Sequence, residues 1–154
     1  IVRELLLALF PSEDPNKGVF DKAVDWFSML ASKKHSIITK ELIVYRFILS
    51  AFNSVGLLPD FSRCSQDGTA FKEDEVRFWN QNSGIMCNSC KTKVKGSILI
   101  LPATLGALSS YTTADTLSKE ERIAITRMVQ DIYSHAYDTQ LVSLQSWNDS
   151  LAQA

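Results

Sequence analysis

The sequence predicts a mostly α-helical bundle that carries one small inserted β-hairpin finger. Apolar residues recur every three or four positions near both ends of the chain, as they do on the buried face of a helix. Residues from about 60 to 96 lose this period, and all three cysteines lie there. We therefore expect a single domain over residues 1–154, with the finger at about 60–96.

Composition and charge are those of an ordinary globular domain. The 154 residues are 45% hydrophobic and 21% charged, with a formal net charge of -1. This balance gives the chain no strong overall attraction to nucleic acid or to an anionic membrane. Charged residues interrupt every long apolar run, so no membrane span is predicted. The chain begins with neither an initiator Met nor a signal peptide, and we expect a further segment upstream.

Three helices are predicted before the finger. Residues 1–10 have the pattern of a helix end, and residues 20–33 form a clear amphipathic helix. The third helix, at about 39–55, is apolar on almost every face and is therefore predicted to lie at the centre of the bundle. Gly56 follows it as a typical stop residue.

The finger and the helices after it also have local signals. Two short β-like runs, 76–79 and 85–86, flank a polar turn and predict a hairpin. Pro102 fits the first turn of a short helix. Ser118 and Glu121 form a capping box that opens a longer helix, and a last helical segment follows it.

The cysteines have the spacing of a zinc knuckle with one ligand replaced. Cys87 and Cys90 form a C-x-x-C pair, while Cys64 and Asp67 form C-x-x-D, followed by glycine where a knuckle has C-x-x-C-G. Nineteen residues separate the two pairs, within the range for zinc sites. A structural zinc site needs four ligands, and a carboxylate oxygen is an acceptable one. The sequence therefore favours zinc bound by these four residues.

Two alternatives stay open for the same residues. The knuckle can have lost its metal along with its fourth cysteine, so that the apolar residues of the finger alone hold it together. Cys87 and Cys90 can also be a redox dithiol. Such a pair usually caps a helix after a strand in a βαβ unit, whereas a hairpin between helices is predicted here.

Few other residues indicate chemistry. Lys91, Lys93 and Lys95 are the one local excess of positive charge, and they fit either weak phosphate contact or a solubilising edge. No Ser-His-Asp grouping, phosphate-binding loop or dinucleotide fingerprint is present, so we expect no enzymatic activity.

Four stretches resemble the C-terminal, helical part of the bacterial recombination-mediator family RecO. In family order they are "LLLALFPSEDPNKGVFDKAVDWFSML", "RFILSAFNSVGLLPDFSRC", "FWNQNSGIMCNSC" and "SHAYDTQLVSLQSW", and the resemblance covers nearly all 154 residues. The chain departs from the family pattern at Ile48, where the family has glutamate, and at Asp67, where it has cysteine. Residues 139–142 replace a basic ending.

The resemblance implies a non-enzymatic mediator of DNA repair and recombination in the bacterial cytoplasm, at the nucleoid. It implies a RecR-like partner and the C-terminal tail of single-strand-binding protein. Single-stranded DNA would bind mainly through the family's N-terminal OB-fold barrel, which we do not expect within these 154 residues. The alternatives are a thiol-disulfide oxidoreductase that uses Cys87 and Cys90, and a helical adaptor with no nucleic-acid role.

Overall fold

The computed structural model describes residues 2–9, 17–32, 37–109 and 117–153. In chain order its elements are α1 (Val2–Leu9), α2 (Lys17–Ala31), α3 (Ile37–Ser54), β1 (Arg77–Asn80), β2 (Gly84–Met86), α4 (Asn88–Lys91), β3 (Ile98–Ile100), α5 (Pro102–Ser109), α6 (Lys119–Tyr137) and α7 (Val142–Gln153). The predicted class, mostly α with a small inserted β element, is confirmed. The predicted ends of the first two helices, residues 10 and 33, lie outside the described residues.

Helix α3 is the centre of the bundle, as its all-round apolar character predicts. Every residue from 41 to 49 is buried, and α1, α2, α5 and α6 all pack against this helix. Gly56 ends the region with a φ of 74°, where glycine pays no steric penalty. Among the described residues, no helix has the length and apolar character needed to cross a membrane.

Two charged side chains, Glu41 and Arg46, are buried on this apolar helix, and Glu41 forms an ion pair with another helix. Glu41 is only 2% exposed, and its Oε2 atom is 3.2 Å from Nη1 of Arg122 on α6. Beside it, the hydroxyls of Tyr45 and Thr126 share a hydrogen bond of 2.5 Å. Burial raises the pKa of Tyr45, and the Glu41 charge adds to this effect. These polar contacts fix the register of α6 against α3, because shifting either helix would leave a buried charge unpaired.

Helix α1 is tied to the far end of the chain by one carboxylate. Glu4 accepts hydrogen bonds from the backbone N–H groups of Val142 and Ser143, at 2.9 and 3.1 Å, and from the Ser143 hydroxyl. The first N–H groups of a helix have no partner within it, so Glu4 acts as a cap for α7 from another helix. Partial burial pushes the pKa of Glu4 upward, but the hydrogen bonds outweigh it and the net pKa is lowered.

Helix α6 begins at the predicted capping box. The Ser118 side chain accepts from the backbone of Glu121, and the Glu121 carboxylate accepts in return from the backbone of Ser118. The same carboxylate also accepts a 2.6 Å hydrogen bond from the hydroxyl of Thr104 on α5. The box therefore joins two helices as well as starting one.

The finger contains a three-stranded antiparallel sheet in the order β2-β1-β3. The predicted hairpin is β1 and β2. Strand β3 was not predicted and extends the sheet beyond the expected limit of the finger at residue 96. Its three apolar residues are followed by Leu101 and then Pro102, so they also fit the approach to a helix. The indole N–H of Trp79 donates to Asp131 on α6 at 2.9 Å and anchors the sheet to the bundle.

We expect Phe47→Ala to lower the free energy of unfolding by about 3–5 kcal/mol, because the ring is 2% exposed in the core and its removal leaves a cavity. Phe20→Ala is the matched control, since that ring is 67% exposed and should cost little. Urea denaturation measures both variants. Equal losses for the two substitutions would show that α3 is not the core.

We expect Glu4→Gln to lower stability at neutral pH by about 0.3–1 kcal/mol, a range that suits a partly exposed carboxylate at a helix N-terminus. Because the folded pKa of Glu4 is lowered, its stabilisation is present above the unfolded pKa and disappears as the pH falls through the folded pKa. The gap between wild type and variant should therefore close in acid. Asp74→Asn, an exposed carboxylate, is the control. A gap that is unchanged between pH 7 and pH 3 would contradict this assignment.

Candidate metal centre and the groove beside it

The four predicted ligands lie together in the finger. Their ligand atoms, three thiol sulfurs and one carboxylate oxygen, are all within 4.8 Å of one another. Cys64, Cys87 and Cys90 are buried, whereas Asp67 is exposed. The cluster thus has three thiols on its protein side and one carboxylate on its solvent side.

The first pair of ligands lies on a tight turn. Gly68 donates its N–H to the Cys64 carbonyl at 2.9 Å, and the Cys64 N–H donates to the Thr69 carbonyl at 2.8 Å. Gly68 has a φ of 74°, which a residue with a side chain rarely adopts. Asp67 is fixed in the same turn, because its Oδ1 atom accepts from the Thr69 N–H at 3.0 Å. The turn points the Asp67 carboxylate back toward the thiols.

The second pair follows the hairpin. Cys87 is the N-cap residue of the single-turn helix α4, and Cys90 lies within that turn. Gly84 brings the two ligand loops close together: a Cβ atom there would lie 2.7 Å from the Ser65 hydroxyl oxygen. Ser65 in turn donates its N–H to the Ile85 carbonyl at 2.7 Å. These contacts hold the two ligand pairs face to face.

The spacing of the cluster suits a tetrahedral zinc ion. With zinc–sulfur bonds of about 2.3 Å, neighbouring sulfurs in a tetrahedral site lie about 3.8 Å apart. Here the thiols of Cys90 and Cys87 approach the Asp67 Oδ2 atom at 3.3 and 3.6 Å. These sulfur–oxygen distances are close to the roughly 3.5 Å expected between a thiolate and a carboxylate oxygen on one tetrahedral zinc ion, and all four ligand atoms lie within 4.8 Å of one another. The donor set fits a divalent cation with a preference for thiolate.

The pKa shifts in the cluster are also compatible with a bound divalent cation. The Thr69 N–H and the Cys64 thiol hold the pKa of Asp67 well below its usual range. The Asp67 carboxylate raises the pKa of Cys90 to about 12. Burial raises the pKa of Cys64, but backbone N–H groups outweigh it and the net pKa is lowered. A bound cation would replace the thiol protons as the partner of the Asp67 charge, so metal binding releases protons.

One observation in the structure favours the redox alternative for Cys87 and Cys90, and another counts against it. Cys87 stands at the N-cap of the single-turn helix α4 directly after strand β2, which the sequence analysis did not predict, whereas the expected hairpin, with no βαβ unit among the described residues, is found. However, a dithiol does not account for Cys64 and Asp67, whose ligand atoms lie within 4.8 Å of those of Cys87 and Cys90. All three cysteines are free thiols. The cluster of four ligand atoms explains the arrangement better than a dithiol does.

The three lysines after the second knuckle are not equivalent. The Lys91 ammonium group lies 5.1 Å from the centre of the Phe78 ring and is half-buried, within reach of a cation–π contact. Lys93 and Lys95 are exposed. The structure therefore leaves two of the three predicted phosphate contacts fully available to solvent.

A groove of about 850 Å³ lies between the finger and the helices, and the sequence analysis did not identify it. Apolar walls come from both sides, with Trp26 and Leu105 on the helices and Phe61 on the finger. Two buried arginines also line it, Arg46 from α3 and Arg77 from β1. No sequence signal points to the groove, because its residues come from distant stretches of the chain.

Arg77 is the notable side chain of this groove. It is 9% exposed, and its Nε atom has no hydrogen-bond partner among the described residues. One Nη atom donates to the Lys72 carbonyl at 3.4 Å, and the guanidinium lies 4.9 Å from the centre of the Phe71 ring. Glu73 also lines the groove, so the groove carries charges of both signs, with two arginines against one carboxylate. Because the Nε atom is itself shielded from solvent, an acceptor from outside the chain would have to meet the Nη donors of this side chain.

Comparison with known proteins shows the family of this chain. Residues 1–145 match the family model described as Recombination protein O C terminal. The chain belongs to this RecO family. It is also 30% identical over 145 residues to the DNA repair protein RecO of Desulforamulus reducens. The aligned region covers 93% of this chain and 50% of that protein. The chain thus spans about half the length of this RecO relative. No solved structure matches it.

The structure shows where the two residues that depart from the RecO family pattern, Asp67 and Ile48, lie in the fold. Asp67, in place of the expected cysteine, occupies the ligand position in space as well as in sequence. Ile48, in place of the expected glutamate, is fully buried in the apolar core. The buried carboxylate of α3 is Glu41, and it is neutralised by Arg122. The first departure keeps a side chain that can bind a metal ion in the cluster, and the second keeps the core apolar.

We expect purified wild-type protein to hold about one zinc ion per chain, and Asp67→Cys to keep or tighten that binding, because thiolate suits zinc better than carboxylate. Elemental analysis gives the stoichiometry, and competition with a chromophoric chelator gives the affinity. Asp74→Cys is the control, since it adds a cysteine outside the cluster. Zinc near zero in both wild type and Asp67→Cys would contradict the metal assignment.

Proposed function

We propose that this chain is a non-enzymatic docking module of a DNA-repair recombination mediator, and that its groove binds the C-terminal tail of single-strand-binding protein. The supporting observation is the groove itself, which combines apolar walls with two buried arginines. Family membership supports the DNA-repair setting. The tail is the partner that the resemblance implies, and the groove is suited to the end of a chain.

The chemistry of the groove matches a peptide C-terminus. An apolar last side chain would pack between Trp26 and Phe61, while the terminal carboxylate would accept hydrogen bonds from Arg77. Arginine binds carboxylates more strongly than neutral donors do, because the bond is charge-assisted. A volume of about 850 Å³ is in the usual range for a ligand pocket. Glu73 would repel a second carboxylate on its side, which gives the bound peptide a direction.

The remaining partners would bind surfaces of the full-length mediator. We place a RecR-like protein and most single-stranded DNA binding on surfaces that include the OB-fold barrel of RecO proteins. Lys91, Lys93 and Lys95 add a weak phosphate contact, since three lysines neutralise few phosphates. A role with these partners places the protein in the bacterial cytoplasm, at the nucleoid. A thiol-disulfide oxidoreductase is the second candidate, and the position of Cys87 at a helix N-cap is the observation that favours it.

We expect Arg77→Met to weaken tail binding by about tenfold or more, because a charge-assisted hydrogen bond contributes roughly 1.5–3 kcal/mol. Methionine keeps much of the apolar stem, so the change removes mainly the charge. Fluorescence polarisation with a labelled tail peptide measures the affinity, and Lys93→Met is the control for loss of a positive charge elsewhere.

A peptide with an amidated C-terminus separates a specific contact from general loss of charge. Wild-type protein should bind the amidated peptide more weakly, and Arg77→Met should bind both peptides about equally, as expected when two changes remove one interaction. Independent, additive losses would show that the carboxylate does not meet Arg77. Wild-type protein that fails to bind either peptide would overturn the docking proposal.

We expect single-stranded DNA to bind weakly, with a dissociation constant of about 10⁻⁴ M or weaker at physiological salt. Replacing Lys93 and Lys95 with alanine should lower the salt slope by about 1–2. Adding Lys91→Ala should change it less, because that ammonium group already contacts the Phe78 ring. Binding of a labelled oligonucleotide at several salt concentrations tests this. Tight binding by this chain alone would contradict the assignment of most affinity to the barrel.

A further inference from the structure

One loop of the finger serves both the candidate metal centre and the groove. Phe61 and Ser62 line the groove, while Cys64 and Asp67 are two of the four candidate ligands. A single residue, Arg63, separates Ser62 from Cys64. Consecutive Cα atoms are about 3.8 Å apart, so a displacement at the metal centre is transmitted directly to the wall of the groove.

The loop has little apolar packing of its own. From residue 62 to residue 70, Cys64 is the one buried residue. The loop is closed on itself by the Phe71 N–H, which donates to the Ser62 carbonyl at 2.9 Å. Ser65 binds the backbone of Ile85, and the Gln66 side chain donates to the Ser83 carbonyl at 3.0 Å. A segment with few buried contacts opens easily, so ligand bonds to a metal would add a large part of its order.

Strand β1 forms a second connection between the two sites. Phe78 packs in the same small core as the three cysteines. Its neighbour Arg77 points to the opposite face of the strand, toward the groove. The Phe71 ring touches both sides, since it packs against the cysteine core and lies under the Arg77 guanidinium. The position of Arg77 therefore depends on the same packing that surrounds the cysteines.

We propose that metal binding at the cysteine–aspartate cluster and peptide binding in the groove are coupled, so that the metal ion regulates docking. This inference rests on the proposed function of the groove. The metal fixes the loop and strand β1, and together they supply the finger wall of the groove. Coupling is reciprocal, so a bound peptide strengthens metal binding by the same factor. Asp67 is the exposed member of the cluster, so solvent and chelators would reach the ion from its side.

Wild-type protein tests both directions of the coupling. The affinity for the single-strand-binding-protein tail peptide is measured with zinc present, after removal by a chelator, and after zinc is restored. We expect removal to weaken binding by about tenfold, within the usual range of coupling between sites, and restoration to reverse the loss. Chelator competition, with and without saturating peptide, should give the same factor for zinc affinity.

Two variants separate loss of metal from other changes. Cys90→Ser removes a ligand that does not line the groove, and it should weaken tail binding as much as zinc removal does. Ser89→Ala is the control, because this exposed residue lies between the two cysteines and supplies no ligand. Far-ultraviolet circular dichroism checks that the helices persist. If Cys90→Ser does not fold, the removal and restoration of zinc in wild-type protein still decide the question.

The outcomes distinguish this inference from the proposed function. Tail binding that weakens without zinc and returns with it, together with an equal effect of peptide on zinc affinity, supports the coupling. Equal tail affinity with and without zinc overturns the coupling and leaves the docking proposal intact. An absence of tail binding in both states overturns the docking proposal, and the coupling with it.

Discussion

The structure depends on the burial of helix α3 on every face between residues 41 and 49. Four helices pack around it, and no residue from 41 to 49 reaches solvent to a substantial degree. Such a helix can carry a charge only where a partner neutralises it, and Arg122 does this for Glu41 at 3.2 Å. The apolar faces set which helices surround α3, while the ion pair sets the register of one of them. The apolar surface provides the stability, and the pair provides specificity.

The finger is a second, smaller structure attached to this frame. Its sheet is joined to α6 through Trp79 and Asp131, and its own small core contains the three cysteines. The groove forms where finger and helices meet, and Arg46 and Arg77 reach it from opposite sides. A groove whose walls come from two structural units changes shape when the less stable unit, here the finger, loses its ordered conformation. This is the physical reason that we propose a coupling between a metal centre in the finger and docking in the groove.

The sequence predicted those features whose signals are local. The apolar pattern of α3 and the capping box each lie within a short stretch, and both predictions match the structure. The spacing of the two candidate ligand pairs is also read along the chain, and the structure brings their ligand atoms within 4.8 Å, while zinc binding stays a prediction. Helix α4 is a single turn, too short to have a periodic pattern. The Glu41–Arg122 pair joins residues 81 positions apart, and the groove is assembled from still more separate stretches. Only the fold brings such residues together, so no pattern along the chain could have predicted them.

Native-state hydrogen exchange tests most directly whether a stable frame centred on α3 carries a less stable finger. In metal-free protein, the amides of residues 42–51 should exchange only through global unfolding, whereas those of residues 61–71 should exchange through local opening at a lower free energy. Added zinc should raise protection in the second group and leave the first unchanged. Exchange of the α3 amides at a lower free energy than the finger loop would contradict this account of the structure.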